Sequence, residues 1–145
     1  MQKITFLVVG KIKESFYREA VAEYAKRLSR FVKLEIKEVT ERDDPAQEKD
    51  DILRSIKGYT IALCIEGKKT DSEGLASLVK TCADKGQDIT FIIGSSHGLA
   101  NEVKQKADCK LSFSDMTFPH QLMRVILAEQ VYRACMINAG ASYHK

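Results

Sequence analysis

Residues 94–98 read GSSHG and close the apolar run DITFIIGSSHG. Two chemistries fit this stretch. Its spacing satisfies G-x-S-x-G, which puts a nucleophilic serine, here Ser96, on a strained turn between a strand and a helix. A hydrolase built that way needs an acid and then a histidine further along the chain. Asp108 or Asp115, followed by His120 or His144, keeps that order. The other chemistry needs no nucleophile. Small side chains let main-chain N–H and C=O groups close around a flat polar ligand such as an adenine or a nucleoside. The hydrolase reading is the weaker one, because the upstream HGGG-type oxyanion loop is missing and 145 residues are few for such an enzyme. A P-loop is excluded, since no glycine-lysine-serine/threonine ending follows any glycine-rich turn. A dinucleotide fingerprint is excluded too, because Gly10 stands alone after the first strand.

The remaining reactive side chains offer less. The cysteines, Cys64, Cys82, Cys109 and Cys135, form no C-x-x-C and no zinc spacing. They read as plain thiols in a reducing cytoplasm, and no metal is expected. The net charge of +3 is weakly basic and permits nucleic acid without requiring it. Basic residues concentrate early in the chain, at Lys3, Lys11, Lys13, Arg18, Lys26, Arg27, Arg30 and Lys33. That distribution suits a solvated helix face or a phosphate-contacting one.

The elements that must position these residues are legible from periodicity. KITFLVVG (3–10) is a buried strand, and Ser15 can cap a helix whose stripe is Phe16, Ala20, Tyr24, Leu28 and Phe31. KLEIKEVT (33–40) is a half-exposed strand. Asp44 and Pro45 start a helix that stops near Gly58. TIALCIEG (60–67) is the next buried strand, and Asp71 caps the helix after it, which ends at Gly86. DITFIIG (88–94), a short helix over 99–107, a strand over 110–114 and a long helix from Pro119 to about Asn138 complete the order. Strands alternating with helices predict a single α/β domain, with a mostly parallel sheet flanked by helices. Ligands of such sheets sit at the carboxyl ends of strands, which singles out the loops 64–70, 94–98 and 113–119. The last helix is apolar nearly all round, so it is expected to be buried on more than one side, with a second subunit covering part of it. No stretch is long and apolar enough for a membrane span, and the N-terminus lacks a signal-peptide cleavage site.

Four stretches together, LCIEGK (63–68), FIIGSSHGL (91–99), LSFSDMTFPHQLMRVILAEQVYRA (111–134) and the terminal YHK (143–145), resemble one family over the whole chain. They resemble the small SPOUT-superfamily methyltransferases that modify N3 of pseudouridine in 23S ribosomal RNA. The resemblance implies a C-terminal trefoil knot, a homodimer and S-adenosylmethionine bound in a bent form by the knot loops. By position it implies cofactor contacts from Leu63, from Gly94, and from Phe113, Ser114, Asp115, Met116, Thr117 and Phe118. It also implies a cytoplasmic enzyme whose substrate is the assembled 70S ribosome, since no RNA-binding domain is appended. Ser95 departs from the family pattern, which has a second glycine there. A serine is tolerated if the local φ is negative and strained if it is positive.

Methyl transfer to N3 requires loss of the imide proton, so a general base or a positive charge that favours the anion is needed. His144 and Tyr143 on the tail, with Arg133, are the residues expected to serve. Glu129 and Arg133 have the i,i+4 spacing of an ion pair. Arg124 sits on a mostly apolar helix, where an unpaired charge is costly. His120 suits a local hydrogen bond and His97 the loop surface. A competing reading is a catalytically weak module of the same fold that binds cofactor or RNA, with Ser95 and His97 as its support.

Overall fold

The computed structural model describes residues Met1–Lys145. Its elements run β1 (Lys3–Val9), α1 (Ser15–Leu28), β2 (Lys33–Val39), α2 (Pro45–Ser55), β3 (Tyr59–Lys69), α3 (Ser72–Asp84), β4 (Ile89–Ile92), α4 (Asn101–Lys106), β5 (Cys109–Ser112) and α5 (His120–Asn138). One five-stranded sheet has the order β2-β1-β4-β3-β5, and every neighbouring pair is parallel.

Side chains alternate across each strand, so each face of the sheet gets its own core. Ile4, Phe6 and Val8 of β1 point with Ile61, Ile89 and Phe91 toward α1, α3 and α5. Leu7 and Val9 point with Ala62 and Ile92 toward α2 and α4. Phe91 is fully buried, with its ring 6.0 Å from that of Phe6 in an edge-on arrangement. Phe91→Ala is expected to cost about 3–5 kcal/mol of stability, measured by urea unfolding.

The helix ends follow their sequence signals with one exception. Asp44 accepts the Ala46 N–H at 2.9 Å and Asp71 accepts the Gly74 N–H at 2.7 Å. Ser15 does not cap α1. Glu14 takes that position and makes no side-chain capping bond, while Ser15 is already helical. Phe16 is 60% exposed, so the stripe expected for α1 buries only at its later positions. A second correction concerns the stretch 64–70, expected as a loop. β3 continues through it to Lys69, after a register shift between Leu63 and Lys68 opposite β5.

α5 lies between α1 and α3. Leu127, Ala128, Val131 and Ala134 are fully buried. Leu122, Ile126, Glu129 and Arg133, on another stripe, are only partly covered. Arg124 is 2% exposed. Its Nη2 donates to the carbonyls of Val9 at 2.6 Å and Gly10 at 3.0 Å, and its Nη1 lies 3.6 Å from Glu38. This arginine therefore ties the start of α5 to the end of β1, which accounts for a charge on an apolar helix. No helix is long and apolar enough to cross a membrane.

Candidate functional site

A cleft of about 770 Å³ opens at the carboxyl ends of β3, β4 and β5. Three segments line it. The first is Leu63 to Glu66, where β3 shifts register. The second is Ile93 to Leu99. The third is Leu111 to Ser114 and Met116 to Pro119, joined by His120 and Met123 at the start of α5. Of the residues expected on the cleft, Leu63, Gly94, Phe113, Ser114, Met116, Thr117 and Phe118 line it. Asp115 does not. It is exposed at the rim and paired with Lys69.

The second segment folds back tightly on itself. A Cβ on Gly94 would lie 2.7 Å from both C and O of Gly98, closer than atoms can sit. Gly98 reverses the chain with φ +78°, and its N–H donates to the Ser95 carbonyl at 2.9 Å. No non-glycine residue has positive φ, so Ser95 is unstrained. Its hydroxyl accepts the His97 N–H at 3.3 Å and lies 3.5 Å from Glu48 of α2. Burial raises the Glu48 carboxyl above its ordinary range. Because the backbone already suits a side chain here, Ser95→Gly is expected to leave cofactor affinity within about threefold, or roughly 0.6 kcal/mol. Calorimetry with S-adenosylmethionine checks this.

The third segment is held by its own serines. Ser112 donates to the Ser114 carbonyl at 3.0 Å, and the Ser114 hydroxyl accepts the Met116 N–H at 3.0 Å. Main-chain groups and small side chains thus shape two of the three walls. Ser96 and His97 are exposed on the turn of the second, so His97 faces the cleft as well as solvent. Ser96 forms no hydrogen bond to a histidine, and α4 begins only at Asn101, so the nucleophile-elbow geometry is absent.

His120 reaches the cleft from the first turn of α5. The local hydrogen bond expected of it is not made, because its Nδ1 is buried without a partner. Burial and then the nearby Arg124 charge lower its pKa, which keeps the ring neutral at physiological pH. The Cys64 thiol also faces the cleft, and burial pushes its pKa up, so it is a poor nucleophile.

His144, Tyr143 and Arg133 come together, but away from the cleft lining. Arg133 donates to Glu129 through Nε at 3.3 Å and Nη2 at 2.8 Å. The Tyr143 hydroxyl donates to the same carboxylate at 2.7 Å, and its ring stacks beneath the Arg133 guanidinium at 4.7 Å. Burial first, and then the Glu129 bond, push the Tyr143 pKa up to about 12, so the phenol stays protonated. Arg133 Nη1 lies 3.1 Å from His144 Nδ1. A guanidinium only donates, so that ring nitrogen accepts and the proton sits on Nε2. The ion pair of Glu129 and Arg133 was readable from its spacing. The role of Glu129 as the anchor of the tail was not, since Tyr143 is fourteen residues further on.

Such an arrangement defines a class: a parallel α/β domain that grips a small molecule on tight backbone turns at its strand ends. Residues 2–144 match the family model described as "Predicted SPOUT methyltransferase", and the chain belongs to that family. It is 50% identical to the protein from Clostridium novyi named "Ribosomal RNA large subunit methyltransferase H", over 98% of this chain and 99% of that one. The protein of the same name from Levilactobacillus brevis is 48% identical over the same shares. Among solved structures, a probable methyltransferase from Bordetella pertussis has the same fold, with TM-score 0.60 and 13% identity over 92% of this chain and 95% of that one. A SpoU methyltransferase from Streptomyces viridochromogenes, solved in complex with AdoMet, has TM-score 0.51 and 13% identity over 95% of this chain and 58% of its own.

Proposed function

We propose that this chain is an S-adenosylmethionine-dependent methyltransferase acting on large-subunit ribosomal RNA, with N3 of a pseudouridine in the 23S molecule as the acceptor. The observation that carries the reading is the cleft itself. In a chain of this family, a volume of about 770 Å³ is bounded by backbone turns, one of which opens on a glycine, Gly94, that admits no side chain. That volume lies within the range of roughly 300–1,000 Å³ for small-molecule sites. Leu63, Gly94, Phe113 and Ser114, with Met116, Thr117 and Phe118, would hold the cofactor, and Asp115 would brace the rim through Lys69.

When bound, the sulfonium supplies an electrophilic methyl group that needs no activation by the protein. The residues of this chain must then orient the base, exclude water and handle the imide proton. Arg133, Tyr143 and His144 are proposed for that work. Arg133 supplies positive charge, which favours the anionic form of N3. Tyr143, held protonated by Glu129, is a donor rather than a base. His144 can take a proton on Nε2 only in its Nδ1–H tautomer, so its contact with Arg133 Nη1 must be released when the substrate is bound.

This cluster is not part of the lining of its own chain's cleft. A homodimer accounts for it. The partly covered stripe of α5 that bears Leu122 and Ile126 near the cleft end bears Glu129 and Arg133 further along. Two-fold pairing of antiparallel α5 helices would bring one protomer's tail to its partner's cleft. The trefoil knot and a cytoplasmic location belong to the same proposal. So does the assembled ribosome as substrate: a net charge of +3 is modest, and a large surface would supply the contacts that select the target. The catalytically weak module loses its support at Ser95, whose backbone is unstrained.

The test uses tritiated S-adenosylmethionine and ribosomes from cells lacking the modification, compared with separated subunits and naked RNA. Label mapped to one pseudouridine, on assembled ribosomes only, is the expected result. Cofactor binding without label on any of these substrates would reject the enzyme.

A further inference from the structure

We infer that the surface carrying Arg27 and Arg30 is a landing platform for the RNA strand next to the modified nucleotide. This deepens the proposed function and rests on it. The platform is built at the end of α1 and the turn after it. The Arg27 guanidinium lies 5.2 Å from the Tyr24 ring centre and 5.8 Å from that of Tyr132. The Arg30 guanidinium lies 4.8 Å from the Phe31 ring. Aromatic faces thus sit beneath both cations and restrict them, at a cost in side-chain freedom met before any ligand arrives.

Their free edges distinguish these two arginines from the others nearby. Arg27 uses Nε on Glu23 at 2.8 Å, and Arg30 uses Nη2 on the Met136 sulfur at 3.7 Å. Both Nη groups of Arg27, and the Nε and Nη1 of Arg30, bond no protein group. Arg18, by contrast, donates to the carbonyls of Ile12 and Lys13, and Arg133 spends its donors on Glu129 and His144. Lys26, exposed and without an ion pair, adds a third cation to the patch. A helix C-terminus attracts cations by its dipole, which accounts for Lys26 and Arg27. It does not account for Arg30, beyond the helix end, or for the rings beneath both guanidinium groups.

The patch runs into the tail. Tyr132 packs edge-on against Tyr143 at 4.9 Å, and Met136 belongs to α5. An occupant of the platform is therefore a neighbour of the Arg133, Tyr143 and His144 cluster. The occupant's chemistry follows from what the surface offers. None of the large exposed apolar residues, Met1, Phe16, Ile36, Ile65 and Met116, belongs to it. The rings are covered by the cations, so an apolar protein partner finds nothing to bury. Exposed forked donors beside aromatic rings suit phosphate oxygens and bases, and single-stranded RNA provides both.

The test measures binding of a short fluorescein-labelled single-stranded RNA to the full chain across a salt series. Arg27→Gln with Arg30→Gln is expected to weaken binding about tenfold and to reduce the salt slope by roughly 1.4, since each lost phosphate contact removes roughly 0.7. S-adenosylmethionine affinity should be unchanged, and the KM for ribosomes should rise with kcat preserved. Arg30→Gln alone, on an exposed side chain that cannot threaten the core, should remove roughly half of that slope. Unchanged slope and affinity would overturn the proposal, as would equal loss of affinity for a polyglutamate peptide or a parallel loss of cofactor binding. A wild-type protein that labels no ribosome, yet loses slope in the variants, would reject the enzyme and leave this surface standing.

Discussion

Gly94→Val should abolish S-adenosylmethionine binding while leaving a folded protein. The reason is a single backbone approach. The second wall of the cleft doubles back so closely that a Cβ on Gly94 would meet the Gly98 carbonyl carbon and oxygen at 2.7 Å. Those atoms are main chain and cannot rotate away. A β-branched side chain at this position forces the turn open and pushes its own bulk into the cleft. The expected loss of cofactor affinity is at least a hundredfold, or about 2.7 kcal/mol of binding free energy. Calorimetry reads this directly. The far-ultraviolet circular dichroism should remain that of the wild type, because β4 ends at Ile92 before the turn begins. Wild-type affinity in this variant would move the cofactor to another part of the molecule.

His144→Ala is expected to behave in the opposite way. Cofactor affinity should be preserved, since His144 does not line the cleft of its own chain. Methyl transfer should fall by roughly 10²-fold or more, the scale of lost general acid–base catalysis. The two variants also test the dimer. Each alone is strongly impaired, one for want of cofactor and the other for want of His144. Mixed and allowed to exchange subunits, they should regain activity, because one heterodimer site combines an intact cleft with an intact tail. Full activity of His144→Ala would leave His144 without a part in the reaction, as at an ordinary chain terminus. No recovery on mixing would place the tail over its own cleft.

Much of this fold was legible in the sequence because local chemistry and tertiary structure agree. Asp44 with Pro45, and Asp71, are N-cap signals, and both side chains make the bonds that such signals promise. β1 and β4 are apolar runs because both faces of the sheet are covered. That same uniformity hid the strand order. Nothing in an apolar run says which neighbour it will have, so the place of β4 between β1 and β3 had to come from the structure. The continuation of β3 was hidden for another reason. Beyond Leu63 the strand leaves the core, Ile65 is 45% exposed, and the alternation that marks a strand fails. The cleft walls were placed by the rule that ligands gather at strand ends, and all three segments do line one cleft. The tail cluster lay beyond such rules. Glu129 and Arg133 are linked by their i,i+4 spacing, but Tyr143 and His144 reach them only because the chain turns back after Asn138, and no period announces that.

The strand order also constrains how the chain comes into being. β1 and β2 can pair as soon as both exist, joined by α1. β3 cannot add to them, because its place beside β1 belongs to β4, and Ile4 pairs with Ile89. As the polypeptide leaves the ribosome, one edge of β1 and both edges of β3 therefore stay open until residue 92 has emerged. Their closure then joins segments far apart in sequence, a loop-closing step of high entropic cost that slows folding. α5 arrives last and completes a face that α1 and α3 alone cover only in part. Assembly of this small domain is thus close to a single late event, and a nascent chain stalled before β4 would expose sheet edges open to mispairing.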